Sequence, residues 1–548
     1  MILQLEAKKD FSVPPYWEAW EYVHSFFYNP DHQEIYYECF SEKETLLDLN
    51  ESIAIFPELY LGFSLIILLL FGVYMASNRD KNYPLVHLPF VHLVILNLIF
   101  TIILISNTNL KTKQSFFNNT IVLDNLGIYS KIYILIIAIL YFFVIMQYIS
   151  YEKINSFEYS LILLFSILGI LLICISNDLI TIYLSIELQS LSFYLLAAYK
   201  KNTVFSTEAG LKYFILGAFS SSIFLFGSSL IYGITGSLNF EDFKDLYFYM
   251  NPEMNEFFQY DTLFGLNLLE FGLIFILISL FFKLSLVPFH IWSPDVYEGS
   301  LTGSTFFFAV VPKLGIFILL LRFFYYSFSS FLYNWQQYLI IISLVSILVG
   351  SFAGIEQRKI KTLLAYSSIN HMGYSLIAFS TFTFEGVQFL INYLLVYILS
   401  GLCLWTILIS LKLKNSKYKK KNNKDLTDIV KLVKSNKMLA IFFSIVILSI
   451  AGFPPLIGFY AKLNIFLVAI ETTMYFTALI AILCSVISAF YYIRIVKIMF
   501  FEKEIVGRLY FPISYQNSLV ISFCFFLFIY LFINPNLLYL ISYKMALL

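Results

Sequence analysis

The sequence predicts an all-α polytopic membrane protein, and three observations predict it. Of its 548 residues 59% are hydrophobic and only 13% are charged, about half the ~25% charge of soluble domains. Mean hydropathy is +0.79. The apolar residues run continuously for about 20 positions, enough for a helix to cross a ~30 Å hydrocarbon core, and do not alternate as barrel strands do. A soluble globule cannot hide so much apolar surface, and a disordered chain would not carry it. With 35 basic and 35 acidic residues and no basic domain, nucleic-acid binding is excluded.

About fourteen spans are expected: 58–76, 84–106, 127–149, 158–176, 178–199, 210–233, 266–292, 302–322, 336–354, 362–381, 385–411, 438–468, 473–500 and 514–534. Residues 1–55 form a polar N-terminal extension, not a signal peptide, because no early apolar core exists. Its acids and its aromatics (Tyr16, Trp17, Trp20, Tyr22) suit contact with another protein. Residues 56–150 hold the first three spans. Residues 151–325 and 336–500 each hold five, and 501–548 hold the last.

The connection 412–437 carries ten lysines. Loops after odd-numbered spans share its side, with Arg79, Lys81, Lys153, Lys200, Lys201, Arg358, Lys359, Lys361, Lys503 and Arg508. The opposite side carries the acidic 234–265 loop. The positive-inside rule then puts the lysine-rich loop in the cytoplasm or matrix and both termini across the membrane. Within that loop Leu426 to Ser435 could form a surface helix. His87 and His92 open span 2 and read as caps or anchors. The 5 cysteines are scattered, so no metal, haem or iron–sulfur site is expected.

The informative residues are ionisable groups inside apolar runs, each costing ~2.5–3.5 kcal/mol at a helix centre. Glu187 lies mid-span, ~13 Å along the helix from Asp178, among Ser185, Gln189, Ser190 and Ser192. Lys212, Lys283, Lys313 and Lys462 lie in spans 6, 7, 8 and 12. Lys200, Lys201, Arg322 and Arg494 lie near span ends and read as snorkelling or ion-paired groups. Burial disfavours an ammonium and a nearby carboxylate restores it, so a carboxylate that moves switches a lysine between charged and neutral. Glu187 and Lys212 are the candidate pair. Lys283, then Lys313 and Lys462, would receive the proton. Arginine could not release one.

Prolines mark the same places. Pro288 follows Lys283 by five residues, and Pro454 and Pro455 precede Lys462. Proline interrupts a helix, and unwound backbone inside a membrane is tolerated only where protein or water satisfies it. Two interrupted helices in corresponding halves match a transporter pattern. Their spacing, spans 7 and 12, suggests two inverted five-helix repeats.

These residues resemble the antiporter-like proton-pumping subunits of respiratory complex I. The resemblance rests on Lys283 through Gly299 (KLSLVPFHIWSPDVYEG), Glu208 through Ser221, Leu363 through Tyr374, and Gly452 through Lys462. It covers about residues 55–540 in order. One group of the family places glutamate at the position of Lys462, and another carries a long C-terminal lateral helix. This chain has the lysine and stops soon after span 14. The resemblance implies proton transfer through Glu187, Lys212, Lys283, Lys313 and Lys462, with His290 and His371 as supporting polar groups and Pro288, Pro454 and Pro455 at the breaks. It implies NADH, FMN, iron–sulfur clusters and ubiquinone elsewhere in the complex, none in this chain. Partners would be other membrane-arm subunits, accessory subunits and lipids. Abundant Phe (60) and Tyr (41), and lysine in excess of arginine, fit AT-rich organellar coding and a mitochondrial inner membrane. A stand-alone cation/proton antiporter and a non-pumping structural spacer are the competing readings.

Overall fold

The computed structural model describes residues 55–75, 87–107, 114–249 except 153 and 155, 259–411, and 425–547 except 503–509 and 511. The N-terminal extension, His87's side-chain surroundings, most of the 234–265 loop's side chains and lysine-rich residues 412–424 lie outside the described part.

The first membrane helices are α1 (Ile55–Met75), α2 (His87–Ser106) and α3 (Asn125–Tyr151). A short antiparallel hairpin, β1 (Gln114–Phe116) with β2 (Ile121–Leu123), joins α2 to α3. Asp124 begins α3 by accepting a hydrogen bond from the Gly127 N–H at 2.7 Å, which satisfies one of the free amides of a helix start. Next come α4 (Glu158–Ile175), α5 (Leu179–Ala197), α6 (Val204–Thr235) and a short α7 (Phe240–Tyr249). Span 7 is divided into α8 (Gln259–Leu284) and α9 (Trp292–Gly299). Span 8 is α10 (Thr302–Val310) and α11 (Pro312–Leu320), continued by a π-turn segment Leu321–Ser327.

The second half has α12 (Leu332–Glu356), α13 (Ile360–Ser380) and α14 (Phe384–Ser410). A short α15 (Leu432–Ser435) follows a 3₁₀ turn over Leu426–Lys431. Span 12 is divided into α16 (Lys437–Ala451) and α17 (Ile457–Glu471). Then come α18 (Tyr475–Phe501), α19 (Tyr515–Ile533) and α20 (Asn536–Ala546). The order of elements repeats. Each half opens with a tightly packed antiparallel pair, α4 with α5 and α12 with α13, and later contains a broken helix.

Eleven of the described helices are long and apolar enough to cross a membrane. The expected spans at 266–292, 362–381 and 438–468 are not among them. Two of these have a physical reason: 438–468 is divided into two 15-residue helices, and α13 carries a polar run of Tyr366, Ser367, Ser368, Asn370 and His371; at 266–292, α8 by itself is a 26-residue apolar helix. The Leu426–Ser435 segment is helical, but it is not only a surface element, because Leu426, Ile429 and Leu432 are buried.

Residues closing alternate loops meet at opposite ends of the helices. At one end Lys200 pairs with Glu152 at 3.2 Å, and Lys359 pairs with Glu298. At the other end Asn177 donates to the Asn119 carbonyl at 3.0 Å, and Asn239 to the Asn118 carbonyl at 3.1 Å. The helices therefore alternate in direction, as span counting requires.

The second break turns on glycine. Gly452 takes φ +89° and ends α16, a left-handed conformation that glycine adopts without strain. A Cβ on Gly458 would stand 1.8 Å from the Ser449 carbonyl oxygen, so the two segments touch through bare backbone. Gly458→Ala is expected to push them apart and destabilise the protein by about 1–3 kcal/mol, the usual range for overpacking. A lower melting temperature of the detergent-extracted protein checks this, and an unchanged one would refute the tight contact.

Candidate functional site

Glu187 projects from the middle of α5. Its Oε2 accepts a hydrogen bond from Ser190 Oγ at 3.2 Å, one helical turn on, while Oε1 is enclosed without a protein partner. Lys283 lies in the last turn of α8, just before the Pro288 break. Its ammonium nitrogen is enclosed, has no hydrogen-bond partner and stands 6.0 Å from the Tyr194 ring centre. Ser190, which bonds Glu187, lines the same cavity as Lys283. Lys283 also borders two small cavities. One is lined by Gln189, Ser190, Tyr213, Trp292 and Pro312, the other by Tyr183, Ser220, Ser221 and Ser279.

Lys212 is not Glu187's partner, which corrects the pairing expected from sequence. Its ammonium sits 2.8 Å from both Glu208 and Asp295 on the outer face of α6, with 45% of its side chain exposed. Glu208 and Lys212 are four residues apart and so share a helix face.

A line of polar groups runs from span 8 into the second half. Lys313, one residue into α11 after Pro312, is buried and donates to Tyr397 Oη at 3.1 Å. The Tyr397 and His371 rings are 5.4 Å apart. His371 is buried, with Nδ1 2.6 Å from Tyr393 Oη and Nε2 3.1 Å from Tyr492 Oη. His371, Tyr393, Tyr397, Ser400 and Lys462 line one cavity. Lys462, also buried, donates to the Ala451 carbonyl at 2.7 Å and lies 5.4 Å from the Tyr374 ring centre.

That carbonyl is the last of α16, left free by the break. An ammonium there meets the negative end of the helix dipole. Lys283 and Lys462 both sit beside a helix break, although one precedes its break and the other follows. Each belongs to the C-terminal end of the first segment, Lys283 from within and Lys462 from across the gap. Pro288 lies between α8 and α9, and Pro454 and Pro455 between α16 and α17. His290 is half-buried in the first break with Nδ1 unpartnered, and the cavities described here do not include it.

The sequence reading missed several charged and polar groups. Glu58 and Lys131 form an ion pair of 2.7 Å between α1 and α3, both almost fully buried. Asp124, which was not singled out, forms another of 2.6 Å with Arg322, so Arg322 takes the ion-paired of its two expected readings. Tyr393, Tyr397 and Tyr492 could not be singled out among 41 tyrosines. Lys200 pairs as expected for a span end, and Arg494 donates to the Ile355 carbonyl at 3.0 Å. Among the described residues no three His, Cys, Asp or Glu side chains converge as metal ligands would.

Membrane-crossing helices that enclose lysines beside two broken segments define an integral membrane protein of the ion-transporter type. A family model described as NADH:quinone oxidoreductase/Mrp antiporter, TM, matches residues 176–488. NADH-ubiquinone oxidoreductase chain 2 of Marchantia polymorpha is 40% identical over 501 residues, 91% of this chain and 99% of the relative. NADH-quinone oxidoreductase subunit N of Pelagibacter ubique is 40% identical over 450 residues, 82% of this chain and 90% of the relative. A chain of respiratory complex I from Thermus thermophilus superposes with a TM-score of 0.69 at 26% identity, covering 88% of this chain and 98% of its own. The chain belongs to the NADH:quinone oxidoreductase/Mrp antiporter family of membrane proteins.

Proposed function

We propose that this chain is a proton-translocating subunit of the membrane arm of respiratory complex I, the counterpart of chain 2 and subunit N. It would couple NADH-to-ubiquinone electron transfer to proton movement, in a hetero-oligomer with other membrane-arm subunits. The observation that carries this is the set of enclosed ionisable groups Glu187, Lys283, Lys313, His371 and Lys462, of which Lys313, His371 and Lys462 meet around Tyr397. An approaching Glu187 carboxylate favours charged Lys283, and its withdrawal favours the neutral amine. A charge change at one lysine is felt at the next, because screening is weak where water is excluded.

The redox chemistry belongs to other subunits in this reading: NADH, FMN, iron–sulfur clusters and ubiquinone bind there. The chain is assigned to the mitochondrial inner membrane, with the lysine-rich loop in the matrix and both termini in the intermembrane space. Its relatives' names and the positive-inside rule support this. Accessory subunits and lipids complete the surroundings, the N-terminal extension serving the former.

Glu187→Gln keeps the side chain's shape and removes its charge. It is expected to lower proton translocation per electron pair in the reconstituted complex without reducing assembly. Wild-type stoichiometry would eliminate Glu187 from the path. Recovery of an active transporter free of NADH- and quinone-reactive subunits would favour the stand-alone antiporter.

A further inference from the structure

The break beside Lys283 ends α8 with a pair of backbone bonds. The Ser285 N–H donates to the Phe282 carbonyl and the Leu286 N–H to the Phe281 carbonyl, both at 3.0 Å. This is the helix ending that usually places glycine in its left-handed turn. The second break ends α16 in the same way, Gly452 donating to Ser449 at 3.0 Å and Phe453 to Leu448 at 3.1 Å, with glycine where the motif favours it. At the first break the left-handed residue is a buried serine, Ser285, with φ +60°. A Cβ makes that conformation costly, so the turn needs a hold from outside. Trp292 supplies it. Its Nε1–H donates to the Phe282 carbonyl at 3.0 Å from across the break, and its ring lines one of the cavities that Lys283 borders.

Trp292 is in turn fixed by α6. Its ring stacks on Tyr213, with centres 4.5 Å apart and planes 10° from parallel. The next residue of α6, Lys212, holds Asp295 at 2.8 Å, and Asp295 lies about one turn beyond Trp292 on α9. At the far end of α9 a Cβ on Gly299 would stand 2.5 Å from the Phe205 carbonyl oxygen, so α9 and α6 touch there through backbone. We propose that Trp292 and Asp295 are positioning residues for Lys283. Tyr213 and Lys212 of α6 grip α9, and α9 carries the Trp292 indole onto the end of α8, fixing the turn that sets the Lys283 ammonium against its cavities. The proposal rests on the reading of Lys283 as a proton carrier. It gives Lys212 a role through Asp295, off the proton path.

Lys283 makes no hydrogen bond of its own, so its place depends on the backbone that carries it. Tyr194 faces its ammonium, Tyr183 and Tyr213 line its cavities, and Glu187 is reached through Ser190. A displaced end of α8 changes the distance from Lys283 to all of these, and with it the pH range over which the lysine takes up and releases a proton. Loss of packing alone would lower the amount of assembled complex and leave that range where it is.

The test uses the assembled complex in sealed vesicles, with protons moved per NADH oxidised measured across a range of pH. Trp292→Phe keeps a ring on Tyr213 and deletes the N–H. It is expected to lower translocation about fivefold, the order of one lost hydrogen bond, and to displace the pH profile. Asp295→Asn and Lys212→Met should each give a smaller loss with the same displacement, and combining them should add little, because they remove two ends of one contact. Ser285→Gly added to Trp292→Phe should restore translocation, since glycine holds the turn without strain. Trp335→Phe is the matched control. It deletes a buried indole bond to the Phe328 carbonyl, also of 3.0 Å, lines neither Lys283 cavity, and should pump with the wild-type profile. Wild-type pumping by Trp292→Phe overturns the proposal, as does a loss with an unmoved pH profile or one that Ser285→Gly does not repair. If Trp292→Phe fails to assemble, Asp295→Asn decides: a displaced profile supports the grip and an unmoved one overturns it. Full pumping by Lys283→Met would instead overturn the assignment of Lys283 on which the proposal depends.

Discussion

Lys283→Met in the assembled complex is expected to abolish most proton translocation by this subunit while leaving the fold in place. Methionine keeps an apolar stem of similar length and removes the ammonium, which is enclosed and has no hydrogen-bond partner to lose. A positioned side chain contributes roughly 10²–10⁴-fold to proton transfer, so its removal should lower coupled turnover on the order of tenfold or more. The measurement is protons moved per NADH oxidised, together with the rate of ubiquinone reduction, in reconstituted vesicles. Undiminished stoichiometry would remove Lys283 from the path. Lys212→Met is the informative comparison. Lys212 is held by Glu208 and Asp295 on an exposed face, so its loss should impair coupling less than loss of Lys283. The reverse order would restore Lys212 as the partner of Glu187.

The second large effect concerns stability. Asp124→Ala strips a buried Arg322 of its carboxylate, at a site where Arg322 Nε and Nη1 have no other partner. Removing one member of a buried ion pair typically destabilises by about 3–5 kcal/mol, because the remaining charge stays uncompensated. Asp124 also caps α3, which adds about 1 kcal/mol. The expected result is a large fall in melting temperature and in the yield of assembled complex. Replacing both partners with apolar residues, Asp124→Leu with Arg322→Met, should recover most of the loss except the cap, since a well-packed apolar pair often matches a buried ion pair. If the single variant melts like wild type, the pair has no structural weight.

These two residues differ in how they could be found. Lys283 stands out in the sequence because apolar residues flank it and Pro288 follows, so its exceptional place is a local property of the chain. Arg322 looks ordinary there, since a span end can let a long side chain reach water. Only the packing of α3 against the end of span 8 encloses it with Asp124. Lys131 escaped notice for a similar reason, its partner Glu58 lying 73 positions away on α1.

The sequence by itself determined the membrane class, the approximate spans, the two broken helices and the placing of four ionisable groups inside the helices, Glu187, Lys283, Lys313 and Lys462. Each follows from apolar run length or from a charge or proline placed against it, and these read locally along the chain. Tertiary structure decided the partnerships: Lys212 with Asp295, Lys283 in a cavity wall with the Ser190 that bonds Glu187, and Lys313 linked through Tyr397 toward His371 and Lys462. The reason is that charges in a low-dielectric interior act on whatever packing brings near, and which face of α6 or α14 turns inward is set by all the neighbouring helices together.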